Sequence, residues 1–498
     1  MRRKGETLIG IIAVIGLLLA YNESSGQSVL NTIDPAPLIH RLVNQDSTGY
    51  TPALRIAIVP PSLEPTWWKR MSQQHLLDFS ENANLVVVDP VVQVMAGQIQ
   101  SSNEALHQQT VWDNIRGARF QALIDDAWHI GGELLERQGV AEPMLGYWAA
   151  QYRIPGWGRS KLGRDRSWNT PEQAYFDVSR SRGWVGWSKG PWSADAGIDA
   201  LHLGAGISSA FLSNKSAPAP YVRIERSTAN GHATRIWLSQ WLSPERGPLG
   251  ETAESLMKRS HVGFLNHQWR FNDHWIVQGV YSVVREHTAE VAPEGWEDFG
   301  FLSGDLYHPV RHAAGGEIQY HHRIASNIKL VGYAQHNWDV GAGNFEKTSL
   351  DSSTIRSRPL TALAGLSLHA NTWTATLETV QRSDNHCKEC FEWNDDINFL
   401  PAGPARAAME HAGNSVQSIW KETLRLQFSS AFFRRINLLG RLEWNEQFSW
   451  KEASGQFLIH PVWPMYLEFG YAQVRDNIES WDYQVIHVGL RAMVSDWK

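Results

Sequence analysis

The sequence predicts an all-β transmembrane barrel, large and antiparallel, and a small N-terminal periplasmic α-helical unit. Three observations lead to this fold class. The N-terminus has the composition of a secretory signal, and no later apolar run is long enough for a transmembrane helix. From Met144 onward, apolar and polar residues alternate with a period of two.

The first residues predict export across the inner membrane. Met1 to Lys4 is basic, and the apolar run from Leu8 to Ala20 is too short for a comfortable membrane span. We therefore assign residues 1–26 to a signal peptide and expect the mature protein to lie in the bacterial outer membrane. An uncleaved anchor is the alternative.

The amino-acid composition restricts the classes of protein and of binding partner that fit this chain. The chain has 24 tryptophans and 19% charged residues, which suits either a barrel with a polar lumen or a secreted carbohydrate-active enzyme. A net charge of −6 argues against nucleic acid as a partner. Because export leads to an oxidising compartment, we expect Cys387 and Cys390 to form a local disulfide. A zinc site would need more ligands nearby. No metal site and no cofactor are predicted.

Residues 27–140 predict the periplasmic unit, with mixed and mostly helical patterns. Apolar residues recur at helical spacing in residues 35–46 and 65–79. A third helix is predicted between Asn103 and Ala127, although Gly117 interrupts it. The alternative is that this region is the first third of a soluble domain.

Residues 141–498 predict the barrel. Ile318 and Tyr320 alternate with Glu317 and Gln319, and similar segments of about ten residues run to the C-terminus. A soluble β-sandwich or propeller would also alternate. Three features favour the barrel: long segments, aromatic residues near segment ends, and loops of unequal length. The long connections at 286–310 and 382–417 contrast with the short turn at 271–274.

A tryptophan-rich turn is the strongest candidate site. Its rings crowd the Gly-Pro step at 190–191, and a loop with an x-Pro-x-Pro step leads to the next predicted strand. Such rings suit a membrane interface or a sugar, and arginine can pair with the carboxylates of acidic sugars. Which of the two arginines faces the lumen is left open. The candidate polysaccharide-binding residues are Trp184, Trp187, Trp192, Asn214, Arg223 and Arg226.

The run VGWSKGPWSADAGIDALHL, followed by SNKSAPAPYVRIERS, resembles the signature region of the Wzi-type outer-membrane capsule assembly family. The resemblance covers some 40 residues around the candidate site. The match over the rest of the chain is weaker, and Ser188-Lys189 and the Cys387–Cys390 loop depart from the family pattern. The resemblance implies a large closed barrel of roughly 18 strands with a periplasmic helical plug. It also implies that the barrel binds acidic capsular polysaccharide or exopolysaccharide at the cell surface without catalysis.

Three function classes follow from these observations. The first is a non-catalytic barrel that anchors or assembles capsular polysaccharide, with outer-membrane lipid and polysaccharide export machinery as further partners. The second is an outer-membrane porin or solute-specific channel. The third is a carbohydrate-active enzyme, for which Glu294, Glu297, Asp395 and Asp396 are the candidate acids.

Overall fold

A computed structural model gives the fold. It describes residues 77–81, 84–101, 109–125, 127–140, 161–162, 175–199, 203–205, 209–211, 218–242, 259–287, 310–325, 328–342, 360–370, 373–383, 420–433, 436–445, 450–462, 465–476 and 481–492. These residues form β-strands and their turns. In this part of the chain no helix is long and apolar enough to cross a membrane.

The strands belong to one antiparallel sheet of 20 strands. In chain order they are β1 Leu77–Glu81, β2 Asn84–Ser101, β3 Thr110–Ile124, β4 Trp128–Val140, β5 Lys161–Leu162, β6 Tyr175–Lys189, β7 Trp192–Asp199, β8 Ala219–Ser227, β9 Ala233–Leu242, β10 Arg259–Arg270, β11 Trp275–His287, β12 Val310–Ala325, β13 Ile328–Ala342, β14 Leu360–Ala370, β15 Trp373–Ser383, β16 Trp420–Phe433, β17 Ile436–Asn445, β18 Trp450–Val462, β19 Met465–Asp476 and β20 Trp481–Ala492.

Strands that follow one another in the chain are also adjacent in the sheet, except for the short strand β5. β4 pairs with β6, while the two-residue β5 pairs with one end of β6. From β6 to β20 each strand pairs with the next. The last strand, β20, also pairs with β2, from Val92↔Ala492 to Ser101↔Tyr483. β1 pairs only with the first residues of β2.

Short and long connections alternate strictly from β2 to β16. Short turns at 125–127, 190–191, 228–232 and 271–274 join one set of strand ends. The connections at the other ends are much longer, as at 200–218, 288–309 and 384–419. The predicted contrast between tight turns and long connections is therefore confirmed. The two-residue turn at 190–191 uses Gly190 at φ 58°, a left-handed conformation that glycine adopts without steric cost.

Along the strands, charged side chains are buried and apolar side chains are exposed, which is the reverse of the pattern in a soluble sheet. In β8, Arg223 is 3% exposed, whereas its neighbours Val222 and Ile224 are 40% and 50% exposed. β20 repeats the pattern on its outer face, where Ile486 and Val488 are about half exposed. We call the face with the buried charges the inner face and the opposite one the outer face. An apolar outer face and a charged inner face are typical of strands that face lipid on one side.

The predicted helical unit is wrong for residues 77–140, and residues 1–76 lie outside the described residues. The segment predicted as a helix between 103 and 127 contains β3, which pairs with β2 and β4 along its length. The boundary predicted near residue 140 does not separate two units either, because β4 continues the sheet into β6.

The physical reason is the polar inner face. Asp113 and Arg119 alternate with outward residues such as Trp112 and Phe120, so the apolar positions do not give a simple period of two. Gly117, the residue that interrupts the helical pattern, lies where β3 and β4 approach closely. A Cβ at that position would overlap the backbone carbonyl of Leu134.

Candidate functional site: the charged inner face

Three arginines surround one carboxylate on the inner face of β3, β4 and β6. Arg180 Nη2 and Arg182 Nη2 donate to Glu133 Oε1 at 2.8 and 3.0 Å, and Arg119 Nε donates to Glu133 Oε2 at 3.0 Å. Arg182 Nη1 also lies 3.5 Å from Asp199 Oδ1 on β7. All five groups are buried, and burial of charges is tolerable only when they are paired and hydrogen-bonded.

A second network continues along the inner face of β7, β8, β9 and β10. Arg223 Nε donates to Asp195 Oδ1 at 2.6 Å, and Arg223 Nη1 lies 3.7 Å from Glu225 Oε2. Arg235 Nε donates to the same carboxylate oxygen of Glu225 at 2.9 Å, and its Nη1 donates to Asn266 Oδ1 at 2.8 Å. These bonds join neighbouring strands and fix the orientation of each guanidinium.

The inner face of β12–β15 has carboxylates that accept hydrogen bonds from uncharged groups. Glu317 accepts from the side-chain amide of Gln319. Tyr333 Oη donates to Glu378 Oε2 at 2.8 Å. To reach Glu378, the Tyr333 ring crosses Gly365 on the intervening strand β14, where any Cβ would overlap the ring. The inner face therefore has an arginine-rich side and a side of carboxylates and amides.

A segment between β7 and β8 folds against the inner face of strands far from it in the sequence. Ala205 N–H donates to Glu317 Oε2 at 3.0 Å, and Ala210 N–H donates to Gln335 Oε1 at 2.7 Å. In return, Asn337 Nδ2 donates to the carbonyl of Ala210 at 3.1 Å. We call residues 203–205 and 209–211 the inner segment. Its partners on β12 and β13 lie several strands away from β7 and β8.

The inner segment also has an apolar anchor. Leu203 and Phe211 are 0% and 2% exposed and pack in a buried cluster on the inner face of β8–β11. The other members of this cluster are Tyr221, Trp237, Val262, Phe264 and Val280. The segment is therefore held on one side by this cluster and on the other by β12 and β13.

The structure places the predicted tryptophans on both faces of the sheet. Trp184 is on the inner face, 7% exposed, and its ring covers Gly131 on β4. Trp187 and Trp192 occupy the outer-face register of β6 and β7. The three rings therefore do not form one surface.

The two arginines also lie on opposite faces, which answers the question that the sequence left open. Arg223 is on the inner face, and Arg226 is on the outer face with its guanidinium carbon 5.6 Å from the centre of the Trp192 ring. Asn214, Cys387 and Cys390 lie outside the described residues, as do the four candidate acids Glu294, Glu297, Asp395 and Asp396. Among the described residues, no group of His, Cys, Asp and Glu could hold a metal ion.

Sequence reasoning missed the buried charges and the inner segment. Arg180 and Arg182 are two residues apart, and this spacing in a strand places both on one face. That signal was present in the sequence. The contacts of the inner segment have no such signal, because Ala210 and Gln335 are 125 positions apart.

No protein-family model and no curated protein matches the chain. Solved structures with a similar fold include Pseudomonas aeruginosa OccK1 (OpdK), with 9% identity, a TM-score of 0.46, and coverage of 82% of this chain and 98% of that one. Pseudomonas aeruginosa OccK9 (OpdG) has 10% identity, a TM-score of 0.43, and coverage of 81% and 97%. For Acinetobacter baumannii OccAB2 the values are 10%, 0.41, 81% and 97%.

The structure corrects the prediction of a polysaccharide-binding capsule protein. The predicted sugar surface is divided between two faces of the sheet, and Arg223 is already paired with Asp195. Membership of the Wzi-type family stays a prediction.

Proposed function

We propose that the chain is an outer-membrane channel for small polar solutes, built as a closed barrel of 18 strands. The pairing of β20 with β2 supports closure, because the chain of neighbours then returns to its start. β1 and β5 pair only at the ends of β2 and β6, so 18 of the 20 strands remain in the ring. An even number of antiparallel strands is usual for bacterial outer-membrane barrels.

The observation that carries the proposal is the reversed burial of the strands. Outward residues such as Leu366 and Leu377 are apolar and 46% exposed, whereas inward residues include paired arginines and carboxylates. In water, an apolar outer face of this extent would associate, and in lipid it is at its lowest free energy. A polar interior provides the hydrogen-bonding groups that a polar solute needs along its path.

The inner segment sets the width of this path. It lies in the long connection between β7 and β8, and it reaches β12 and β13 through hydrogen bonds from Ala205 and Ala210. A segment held in this way reduces the open cross-section of the barrel. The solute passes between the inner segment and the remaining inner face.

The test is the ionic current through the purified full chain in planar lipid bilayers. Wild type should give discrete conductance steps. The double variant Gln335→Ala/Asn337→Ala removes side-chain hydrogen bonds to Ala205 and Ala210, so the inner segment should loosen and the conductance should rise.

Ser367→Ala is a matched control. It also removes an inner-face hydrogen bond, to Thr376 at 2.9 Å, but does not touch the inner segment. Its conductance should equal that of wild type. Folded wild-type protein that inserts without producing a current would overturn the proposal.

A further inference from the structure

Three buried side chains of β12 and β13 hold the inner segment through its main chain. Glu317 accepts from Ala205 N–H through both carboxylate oxygens, at 3.0 and 3.2 Å. Gln335 binds both alanines, because its Oε1 accepts from Ala210 N–H and its Nε2 donates to the carbonyl of Ala205. Asn337 Nδ2 donates to the carbonyl of Ala210 at 3.1 Å. We call Glu317, Gln335 and Asn337 the backbone-binding residues.

The groups that these residues bind are present in every peptide. Ala205 and Ala210 have no polar side-chain atoms, so each hydrogen bond is made to a main-chain N–H or C=O. Ala210 packs with Tyr333 and Leu363 in a buried cluster, and Ala205 packs against the same cluster. The surface therefore fits a peptide main chain that has small, uncharged side chains.

Glu317 differs from the carboxylates on the arginine-rich side. Glu133 accepts from three arginines, whereas the described partners of Glu317 are the Gln319 amide and the N–H of Ala205, with no ion pair among the described residues. A peptide that binds Glu317 therefore competes with the inner segment and not with a guanidinium. This distinguishes β12 and β13 from the rest of the charged inner face.

The inner segment depends on one glycine to lie this close to the strands. Gly204 has φ 104°, a conformation that residues with a side chain rarely adopt. A Cβ there would lie 2.6 Å from Gln335 Nε2 and from Glu317 Oε2. Replacing Gly204 therefore opposes docking of the segment, while the backbone-binding residues stay in place on their strands.

We propose that the backbone-binding residues form a site for short peptides with small, uncharged side chains, and that the inner segment occupies this site when no peptide is bound. The segment is tethered to β7 and β8, so it competes with a free peptide at the high effective concentration of a linked group. The inference rests on the proposed function for access, because a peptide reaches this face through the aqueous path.

The test is fluorescence anisotropy of a labelled synthetic peptide with the sequence of residues 201–211, LHLGAGISSAF, added to the full chain in detergent. Gly204→Val strains the main chain of the docked segment, so this variant should bind the peptide about 10-fold more tightly than wild type. The variant Gly204→Val/Gln335→Ala/Asn337→Ala lacks the two amides and should bind about 30-fold more weakly than Gly204→Val.

The matched probe is the same peptide methylated at the main-chain nitrogens of Ala205 and Ala210. It keeps every side chain and lacks the two donors, so it should bind Gly204→Val about 10-fold more weakly than the parent peptide. The matched protein control is Gly204→Val/Thr376→Ala, because Thr376 bonds Ser367 on the inner face and does not bond the segment. It should bind the parent peptide as Gly204→Val does.

Two results would overturn the inference. One is that Gly204→Val binds the parent peptide no more tightly than wild type, and the other is that the methylated peptide binds as tightly as the parent. If the parent peptide binds as expected but wild type passes no current, the channel is refuted and the peptide site stands. If wild type conducts and Gly204→Val binds no peptide, the channel stands and the peptide site is refuted.

Discussion

Leu377→Arg tests whether the outer face lies in lipid. Leu377 is near the middle of β15, is 46% exposed, and faces outward opposite Leu366 on β14. An arginine there would stand among the apolar outward residues of β14 and β15. If this face lies in lipid as proposed, no water reaches that level and the guanidinium is poorly solvated in the folded protein.

The expected loss of stability is large. An arginine on the lipid face near the bilayer midplane costs about 2–4 kcal/mol. At about 3 kcal/mol, the ratio of folded to unfolded protein falls roughly 100-fold. On a sheet whose outer face meets water, the same exposed position would change stability by about 0.5 kcal/mol or less. The two cases are therefore well separated.

The assay is urea unfolding in the presence of phosphatidylcholine vesicles, followed by tryptophan fluorescence. Leu377→Ala removes the leucine without adding charge and should cost far less than Leu377→Arg. An arginine variant with wild-type stability would refute the assignment of the outer face to lipid.

Further predictions concern the inner face and the turn. Arg235→Met leaves Glu225 buried without its closest cation and should lower the free energy of unfolding by about 3–5 kcal/mol. The double variant Arg235→Met/Glu225→Gln should recover part of this loss in the same unfolding assay. An equal loss in both variants would contradict the pairing. Gly365→Val should displace the Tyr333 ring and lower the free energy of unfolding by about 1–3 kcal/mol. Adding Tyr333→Ala to this variant should relieve the strain between the two side chains. If the double variant shows no relief, the overlap with the ring is not the cause of the loss. Gly190→Ala should cost about 1–2 kcal/mol from backbone strain alone, because nothing lies within 4 Å of the added Cβ, and Gly190→Asn should cost less.

The sequence predicts the strands best where small or apolar residues alternate with polar ones. The pattern around Ile318 and Tyr320 is confirmed by β12, and the turns at 190–191 and 271–274 are confirmed as well. β3 was predicted as a helix because its inward positions include charges that pair with residues of β4. Such pairing across strands cannot be read from one segment.

The candidate site was predicted less well than the fold. The tryptophans near Gly190 lie close in sequence, but a one-residue change of position in a strand moves a side chain to the other face. Trp184 therefore faces inward, while Trp187 faces outward. The buried network around Glu133 depends on residues of three strands. The spacing of Arg180 and Arg182 indicates that they share a face, but it does not indicate that Glu133 lies between them.

The most direct test of a closed barrel around an aqueous path is block of single-channel current by a charged, water-soluble thiol reagent. Met95 and Val94 are neighbours on β2, and Val94 is 49% exposed on the outer face while Met95 points inward. In a background where Cys387 and Cys390 are serine, the reagent should reduce the current through Met95→Cys and leave Val94→Cys unchanged. Block at Val94→Cys but not at Met95→Cys would contradict the account.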